Sequence, residues 1–539
     1  MSTANAQEVD YVVIGGGSAG CAVAGRLSED ADISVVVLEA GGDGDRFLIR
    51  TPAAIVLLVP ARRNAWMFET VPQASLNQRR GFQPRGKVLG GSSAVNAMAY
   101  IRGHKTDYDQ WAALGNVGWS FDEVLPYFKK SEHNNDIYDQ WHGQGGPLRV
   151  SNSFTDNPFQ EIWLQAARQV GYRLNDDFNG TEQEGIGIYQ VTQDHGERWS
   201  AYRGYLQPHV EQRKNLHIET VAMTQRILFD GKRATGVEYR QGGVLKTLRA
   251  RREVILSAGA FQSPQLLMLS GIGDAAELQQ YGIPVLHHLP GVGKNLQDHP
   301  DFIFGYKSRS RDLFGISLPG IARVASEFRR YNRERRGMVT SNFAEGGGFL
   351  KTRAELEAPD VQLHFLTALV DDHARKLHAG HGLSCHVCVL RPKSRGTVKL
   401  QNNDADTPPL IDPAFLAHPD DMETLVAGYK MTEKLMKAPA FKPFITRDMF
   451  TSDVKTDDDI RAKLRERVDS VYHPVGTCKM GHDAQAVVDA TLKVHGLQGL
   501  RVVDASIMPT LIGGNTNAPS IMIGEKAADM IRRSEKRYF

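Results

Sequence analysis

The first hydrophobic segment of the chain is a short strand pattern that runs directly into glycines. In "DYVVIGGGSAG" the apolar stretch 11–14 stops at Gly15, Gly17 and Gly20, and "CAVAGRLSED" continues with helical periodicity. A second apolar segment, "SVVVLEAGG", ends in Glu39, 24 residues after Gly15. The order strand, glycine turn, helix and strand predicts the first unit of a parallel sheet that binds a dinucleotide.

Each glycine of this turn has its own physical use. Gly15 permits the tight turn, Gly17 lets the backbone approach a pyrophosphate, and Gly20 lets the helix pack on the strand. The helix N-terminus offers unpaired N–H groups to the phosphates, and Glu39 is placed to bind a pair of ribose hydroxyls. NAD and FAD share this unit, so the unit alone leaves the dinucleotide open.

Later apolar segments predict further strands and helices. "GLRVVDASIMPT" is a strand that ends in Asp504, and "GGNTNAPSIMIGEKAADMIRR" begins a helix with asparagine and threonine ahead of Pro519. The strand "TLRARREVILSAGA" leads to another helix, for which Ser263 and Pro264 are the expected N-cap and first residue. "HVCVLRPKSRGTVKLQ" alternates as antiparallel strands do. The two cysteines of "CHVC" therefore lie in a strand, which argues against a metal or redox pair.

Composition narrows the class of protein. A chain of 539 residues is too long for one ordinary core, so two interlocked domains are expected. With 41% hydrophobic and 23% charged residues and a net charge of +2, it is typical of a soluble globular protein and not of a nucleic-acid binder. The first residues lack a basic, apolar leader, and no apolar run approaches about 18 residues. We expect a cytoplasmic protein, and four cysteines suit a reducing compartment.

Two segments stand out from this pattern. "PRGKVLGGSSAVNAMAYIRG" (84–103) is rich in glycine and serine, but its apolar end (97–100) does not suit a solvated linker, so we expect a loop buried against a ligand. Segment 321–337 carries six arginines against two glutamates, with an apolar stripe. It is either a solvated helix beside the mouth of the site or a surface for peripheral contact with a membrane.

The chain resembles the glucose–methanol–choline (GMC) oxidoreductases, in particular their choline dehydrogenase-like and alcohol dehydrogenase branch. The motifs that carry this resemblance are "GGGSAG", "GKVLGGSSAVNAM", "GAFQSPQLLMLSGIG", "GVGKNLQDHP", "YHPVGTC" and "DASIMPTLIGGNTNAPSIMIGEKAADMI". They arrive in the order found in that family and span residues 10 to about 531. The family consists of FAD enzymes that oxidise alcohols. The likeness is specific for the family and only weakly specific for a substrate.

The resemblance implies an α/β fold with a Rossmann-like FAD-binding domain. A discontinuous α+β substrate domain that carries an antiparallel sheet would cover the flavin. From the positions of the motifs we expect the FAD-binding domain in residues 1–155, 215–310 and 465–539. The substrate-binding domain then takes residues 156–214 and 311–464.

The resemblance also assigns a role to the histidine of "SVYHPVGTCKMG". Taken alone, His473 could be a structural residue, a metal ligand or a base. In the family, a histidine in this setting faces the flavin, and Asn515 matches its partner position. His473 would then take the hydroxyl proton of a primary alcohol, which becomes an aldehyde, while the hydride goes to flavin N5. With the reference imidazole pKa, the rate should rise with pH through an apparent pKa of roughly 6 to 8.

The resemblance implies further contacts to the cofactor. Some relatives link a histidine covalently to the flavin, but valine, Val95, occupies that position here, so FAD should be bound non-covalently. Thr224 would meet the adenine through its backbone, whereas Trp66 suits a cofactor contact and a core position equally. The complete set of expected cofactor-binding residues is Gly15, Gly17, Ser18, Ala19, Gly20, Glu39, Trp66, Val88, Gly91, Asn96, Ala97, Met98, Ala99, Thr224, Asp504 and Ala505.

Two other functions compete with alcohol oxidation. In one, a protein of the same fold uses its FAD for non-alcohol chemistry, as a lyase or a light-driven enzyme, and His473 is dispensable. In the other, the chain is an NAD-linked enzyme, which does not account for the second glycine loop or for the strand ending in Asp504. The substrate would be a small-molecule alcohol, and the electron acceptor would be oxygen or a quinone.

Overall fold

The computed structural model describes residues 7–58 and 64–535, in which two large sheets hold most of the strands. We number strands and helices in chain order. The first sheet has its strands in the order β10-β2-β1-β13-β12-β11, with β25 beside β13. Its members are β1 (Gln7–Ile14), β2 (Val35–Glu39), β10 (Leu216–Thr220), β11 (Met223–Asp230), β12 (Arg233–Gln241), β13 (Val244–Leu256) and β25 (Leu500–Val502).

The centre of the first sheet is parallel and covered on both faces. Strand β1 lies between β2 and β13 and pairs in parallel with both. Val12 and Val13, which point to opposite faces, are both fully buried. Helix α1 (Ser18–Leu27) follows the glycine turn and packs against α13 (Asn517–Glu535). The carboxyl ends of these strands therefore meet at one edge, where ligands of such sheets bind.

The second sheet is antiparallel, in the order β23-β16-β20-β19-β18-β7, with β17 on β20 and β24 on β16. One face is apolar: Leu363 and Phe365 belong to a core cluster shared with the helix 419–436. The opposite face carries His364 and Leu366. The strands are β7 (Gly185–Ile188), β16 (Pro300–Ser308), β17 (Gly315–Ile316), β18 (Ala344–Leu350), β19 (Val361–Leu366), β20 (Gly380–Val389), β23 (Ile445–Asp448) and β24 (Asp469–Ser470).

Short ladders and helices complete the described parts of the chain. The ladders pair β3 (Ala65–Glu69) with β4 (Phe82–Gly86), β5 (Glu132–Asn134) with β6 (Leu148–Val150), β8 (Gln193–Asp194) with β9 (Glu197–Arg198), β14 (Ile272–Gly273) with β15 (His287–His288), and β21 (Thr397–Lys399) with β22 (Leu410–Asp412). The other helices are α2 (Phe47–Arg50), α3 (Ile55–Leu58), α4 (Lys105–Ala113), α5 (Phe121–Ser131), α6 (Phe159–Val170), α7 (Ala201–Tyr205), α8 (Gly259–Leu269), α9 (Ala275–Gln280), α10 (Leu318–Glu334), α11 (Pro419–Met436) and α12 (Asp457–Arg467).

The fold class predicted from the sequence is confirmed by this architecture. The expectation for "CHVC" is also confirmed, since Cys385 and Cys388 lie in β20 and pack into separate clusters. The predicted helix start at Ser263 and Pro264 is wrong. Helix α8 already begins at Gly259, and Pro264 lies inside it. Ser263 is held within the helix because its hydroxyl donates to Asp504 at 2.5 Å.

The domain borders stay a prediction. Strand β16 lies wholly inside the segment 215–310, and β24 inside 465–539, yet both pair in the second sheet. In the described ranges, none of the helices is both long and apolar enough to cross a membrane.

Candidate active site

A large cavity lies where the edge of the first sheet meets the histidine-bearing face of the second. Ile14, Glu39 and Ser257, at the ends of β1, β2 and β13, line one part of it. His364 of β19 and His386 of β20 line the other part. One continuous cavity therefore joins the predicted dinucleotide turn to the predicted catalytic residues.

Glycines form the floor of the cavity at the dinucleotide end. Gly15 has φ +97°, and a Cβ placed on Gly20 would lie 1.9 Å from the Gly15 carbonyl oxygen. A Cβ on Gly91, which has φ +52°, would lie 2.7 Å from Cα of Gly17. The two glycine loops thus touch backbone to backbone, as a surface that receives a pyrophosphate requires.

Helix α1 points its N-terminus into this floor. Gly17 is its N-cap residue, and no side chain caps the helix. Its first N–H groups are therefore available to an anion. Nearby, the carboxylate of Glu39 accepts hydrogen bonds from the backbone N–H groups of Gly16 at 3.0 Å and Gly41 at 2.7 Å. Burial raises the pKa of Glu39 to about 7.

The second glycine loop forms a wall of the same cavity. The backbone of Met98 is in the left-handed region, with φ +60°, and its N–H donates to the Asn96 side chain at 3.0 Å. Arg198 is buried behind this loop and donates from Nη1 to the Asn96 carbonyl oxygen at 2.6 Å. The loop is therefore fixed against the cavity by named contacts, as its composition suggested.

The structure brings fourteen of the sixteen expected cofactor residues to the cavity wall: Gly15, Gly17, Ser18, Ala19, Glu39, Trp66, Gly91, Asn96, Ala97, Met98, Ala99, Thr224, Asp504 and Ala505. Gly20 lies behind the wall, where it packs α1 on β1. Val88 does not line the cavity, because it is fully buried in a small apolar cluster with Ile49 and Leu58.

Asp504 and Trp66, which line the cavity, also have protein partners. The carboxylate of Asp504 accepts hydrogen bonds from the N–H of Ser506 at 2.8 Å, the N–H of Gly259 at 2.9 Å and the hydroxyl of Ser263 at 2.5 Å. It therefore secures the start of α8 as well as lining the cavity. The ring of Trp66 lies 4.0 Å from Nζ of Lys87.

His473 and Asn515 meet in the cavity, 42 residues apart in sequence. Asn515 Nδ2 lies 3.2 Å from His473 Nε2, and Gln362 donates to Asn515 Oδ1 at 3.0 Å. Since the oxygen of the amide is taken by Gln362, its nitrogen faces the imidazole. The backbone N–H of His473 donates to Asp298 at 2.8 Å, and only 7% of the residue is exposed.

A third histidine sets the tautomer of His473. His299 Nε2 lies 3.1 Å from the carbonyl oxygens of both Leu390 and Ile512, so this nitrogen must carry a hydrogen. Burial lowers the pKa of His299 to about 3, so the ring is neutral and its Nδ1 is an acceptor. His473 Nδ1 lies 3.0 Å from that nitrogen and must donate to it. The lone pair of His473 is therefore on Nε2, toward Asn515.

The surroundings keep His473 uncharged. Burial, reinforced by His299, His364 and the Arg85 guanidinium, holds the pKa of His473 well below its usual value of 6.5. His364 is likewise neutral, because burial lowers its pKa to about 3. The cavity therefore presents a neutral imidazole whose Nε2 lone pair accepts from the Asn515 amide at 3.2 Å and could accept a proton from a hydroxyl group placed beside both side chains.

Sequence reasoning missed four residues of this site: Arg85, His299, His364 and His386. Arg85 and His299 lie in the quoted motifs "PRGKVLGG" and "NLQDHP" but had no assigned role. His364 and His386 lie opposite each other on β19 and β20. Period-two alternation could have placed both on one face of their strands, but it could not show that this face lines a cavity.

A dinucleotide site with a glycine floor, joined in one cavity to a histidine–asparagine pair, is the arrangement expected of a Rossmann-type oxidoreductase. Family models described as GMC oxidoreductase match residues 9–301 and 392–524. The chain belongs to this family. It is an FAD-dependent oxidoreductase that acts on CH–OH donors.

Individual relatives cover nearly the whole chain. An alcohol dehydrogenase [acceptor] of Pseudomonas putida is 46% identical over 97% of this chain and 96% of its own length. An oxygen-dependent choline dehydrogenase of Sinorhizobium medicae is 42% identical over 97% of this chain and 95% of its own. The crystal structure of formate oxidase is 30% identical with a TM-score of 0.91, covering 99% of this chain and 100% of the other.

The glycine floor can be tested by one added methyl group. Gly91→Ala should lower the affinity for FAD about 10- to 100-fold, because overpacking costs about 1–3 kcal/mol. The added Cβ would push the two glycine loops apart. The measurement is titration of the apoprotein with FAD, followed by quenching of flavin fluorescence.

Gly231→Ala is the matched control for that variant. Gly231 has a nearly identical φ of +55°, but a Cβ there meets nothing within 4 Å. It bears the same backbone strain without the steric contact, so FAD affinity should stay at the wild-type value. Equal affinities in both variants would contradict the proposed contact between the loops.

Proposed function

We propose that this enzyme oxidises a primary alcohol to an aldehyde, with His473 as the proton acceptor and Asn515 as a hydrogen-bond donor to the reacting oxygen. The observation that supports this most is the fixed tautomer of His473, with its Nε2 lone pair beside the Asn515 amide. A general base needs this geometry first and a suitable pKa second. The alternative, non-alcohol chemistry on the same flavin, does not require hydride transfer from an alcohol to the flavin.

The residues present suit FAD, since the glycine floor, the uncapped helix and Glu39 follow one another along the cavity. Bound FAD supplies the hydride acceptor, its N5 atom. His473 Nε2 takes the hydroxyl proton, and one N–H of Asn515 binds the oxygen as alkoxide character develops. Gln362 keeps the amide in the required orientation. His299 keeps the lone pair of His473 on the nitrogen that faces the substrate.

We propose that the FAD is held without a covalent bond. Val95 lines the cavity and packs in an apolar cluster with Ile49 and Leu58. A valine side chain has no nucleophilic atom that could attach to the flavin. The proposed division into an FAD-binding domain (1–155, 215–310, 465–539) and a substrate domain (156–214, 311–464) rests on the two sheets, apart from the borders noted above.

The electron acceptor is proposed to be oxygen or a quinone. Contact with a membrane through 321–337 has less support than a solvated helix. In α10 and the residues after it, Arg330 and Arg336 pair with Asp156, Arg323 pairs with Asp312, and Arg335 pairs with Glu197. Acidic groups of this chain thus offset much of the positive charge that would attract anionic lipid. The side chain of Ile321, in the apolar stripe, lies outside the described residues.

Removal of the proposed base should slow the reduction of the flavin without affecting its binding. His473→Ala should keep a normal flavin spectrum but slow anaerobic reduction of the flavin by an alcohol about 10²–10⁴-fold. Asn515→Ala should slow it less, because it removes a hydrogen bond and not the proton acceptor. Stopped-flow absorbance of the flavin measures both rates.

His482→Ala serves as the control histidine, since His482 is exposed and binds the backbone of Gly115. It should reduce at the wild-type rate. Rapid reduction in the His473 variant would return this histidine to a structural role. Failure of alcohols to reduce the wild-type flavin would favour non-alcohol chemistry.

The pH dependence follows from the lowered pKa of His473. A neutral imidazole accepts the proton, so the reductive rate falls only when the pH drops through that lowered pKa. The rate should therefore be constant above pH 6.5 and decline at lower pH. This corrects the expectation of an apparent pKa of roughly 6 to 8, which used the reference value. Flavin reduction rates measured across the pH range check this, and a wild-type rate that still climbs above pH 7 would contradict it.

A further inference from the structure

The histidine-bearing face of the second sheet contains a carboxylate that the mechanism does not use. Asp301 lies on β16 and is only 4% exposed. His386 Nδ1 lies 2.6 Å from its Oδ2. The other oxygen, Oδ1, is buried and has no hydrogen-bond partner in the described part of the chain. His386 lines the cavity, whereas Asp301 does not. The imidazole therefore stands between the carboxylate and the cavity.

Other carboxylates do not face the substrate end either. Among the described residues that line the cavity, the acidic ones are Glu39, at the dinucleotide end, and Asp504, which binds three protein donors. Asp298 lies behind His473, and its carboxylate accepts from the backbone of His473 and the hydroxyl of Ser470. A substrate beside His473 thus meets no uncapped negative charge.

The fixed charge that does face the reacting residues is positive. Arg85 lines the cavity, and burial lowers its pKa to about 10, so it remains charged at neutral pH. Its guanidinium donates to the carbonyl oxygens of Pro84 at 2.9 Å and Tyr472 at 3.3 Å. In the described ranges it has no ion pair with a carboxylate. The charge of Asp298, behind His473, acts on Arg85 and offsets part of its positive charge, but Asp298 does not line the cavity, so a cationic substrate would still be placed near a like charge.

The described part of the cavity lining also carries apolar and aromatic side chains, beside the polar Asn342, His373 and Tyr472. Its aromatic faces are largely engaged: Phe261 lies under Arg85 at 5.0 Å, and the ring of Phe343 packs on Phe314 at 4.4 Å. These contacts leave Phe261 and Phe343 less available to surround a quaternary ammonium group. Apolar lining residues include Ile55, Phe343, Leu366, Val370, Ala374 and Val471.

We propose that the enzyme takes alcohols with an uncharged, apolar tail, and that His386 determines this specificity by capping Asp301. The proposal rests on the alcohol oxidation proposed above and names its substrate class. Sequence identity alone does not tell which relatives this enzyme resembles in substrate, since it is 46% to an alcohol dehydrogenase and 42% to a choline dehydrogenase. The proposal distinguishes between these two kinds of substrate. Burial of an apolar tail is favourable here, whereas a buried cation without a counter-charge is strongly unfavourable.

Two alcohols of the same shape test the proposal directly. Choline and 3,3-dimethylbutan-1-ol differ in whether the branched end carries a charge. In the wild-type holoenzyme, anaerobic flavin reduction by the neutral alcohol should be at least about 100-fold more efficient than by choline, since an uncompensated buried charge is costly. Stopped-flow absorbance gives the ratio of the two efficiencies. A ratio near one, or in favour of choline, would overturn the proposal.

Variants of His386 test the capping role. His386→Ala removes the imidazole between Asp301 and the cavity, so the ratio should fall at least about 10-fold in favour of choline. The double variant His386→Ala with Asp301→Asn should restore the wild-type preference, because the uncovered carboxylate is gone. His378→Ala is the control, since His378 pairs with Asp371 outside the cavity lining and should leave the ratio unchanged.

The outcomes distinguish this proposal from the function on which it depends. A flavin-loaded His386→Ala protein with an unchanged ratio would overturn the role of His386. If neither these two alcohols nor a panel of linear primary alkanols reduces the flavin of the wild-type protein, alcohol oxidation itself fails, and the specificity proposal with it. If the His386→Ala protein does not bind flavin, His386→Ser makes the same test. The preference of the wild-type enzyme for the neutral alcohol over choline is measured without any variant.

Discussion

The bifurcated hydrogen bond from His299 to the carbonyl oxygens of Leu390 and Ile512 determines which nitrogen of His473 is basic. Those two carbonyls can only accept, so His299 must donate to them and can only accept from His473. These directions require that His473 donate from Nδ1 to His299, which leaves its Nε2 as the acceptor on the cavity side. Without the two carbonyls, either nitrogen of His473 could carry the hydrogen, and the lone pair would not be assigned to the substrate side.

The same bond connects distant parts of the chain. Leu390 directly follows β20 of the second sheet, whereas Ile512 lies in the loop that leads to Asn515 and α13. That loop is also held by Asp107, which accepts from the N–H of Gly513 at 2.8 Å and pairs with Arg391 at 2.7 Å. The position of Asn515 relative to His473 therefore depends on both sheets being in place, and a local motif could not produce it alone.

Sequence patterns predicted much of this arrangement, but not the features that depend on contacts between distant residues or on burial. The glycine turn, Asp504 and the pair His473 and Asn515 all line one cavity, while their roles at the cofactor and the substrate stay predictions. Ser263 and Pro264 resembled a helix start because capping residues look alike in sequence, but Asp504 binds the serine inside the helix. The capping of Asp301 by His386 joins residues 85 positions apart, and no periodicity reports such a contact. The lowered pKa of His473 depends on burial, which a reference value omits.

Burial disfavours charge in the cavity, and this one effect bears on both the proposed base and the proposed substrate. The dry surroundings that lower the pKa of His473 and His364 penalise any charge, including that of an imidazolium. A base of low pKa is intrinsically weak, so the proposed mechanism relies on the hydrogen bond from Asn515 and the positive charge of Arg85 to stabilise the alkoxide character of the substrate. A cationic substrate would weaken that arrangement by adding a second positive charge to a cavity that already holds one. A neutral, apolar tail adds none, and it removes water from the same space, which strengthens each electrostatic contact to the reacting oxygen.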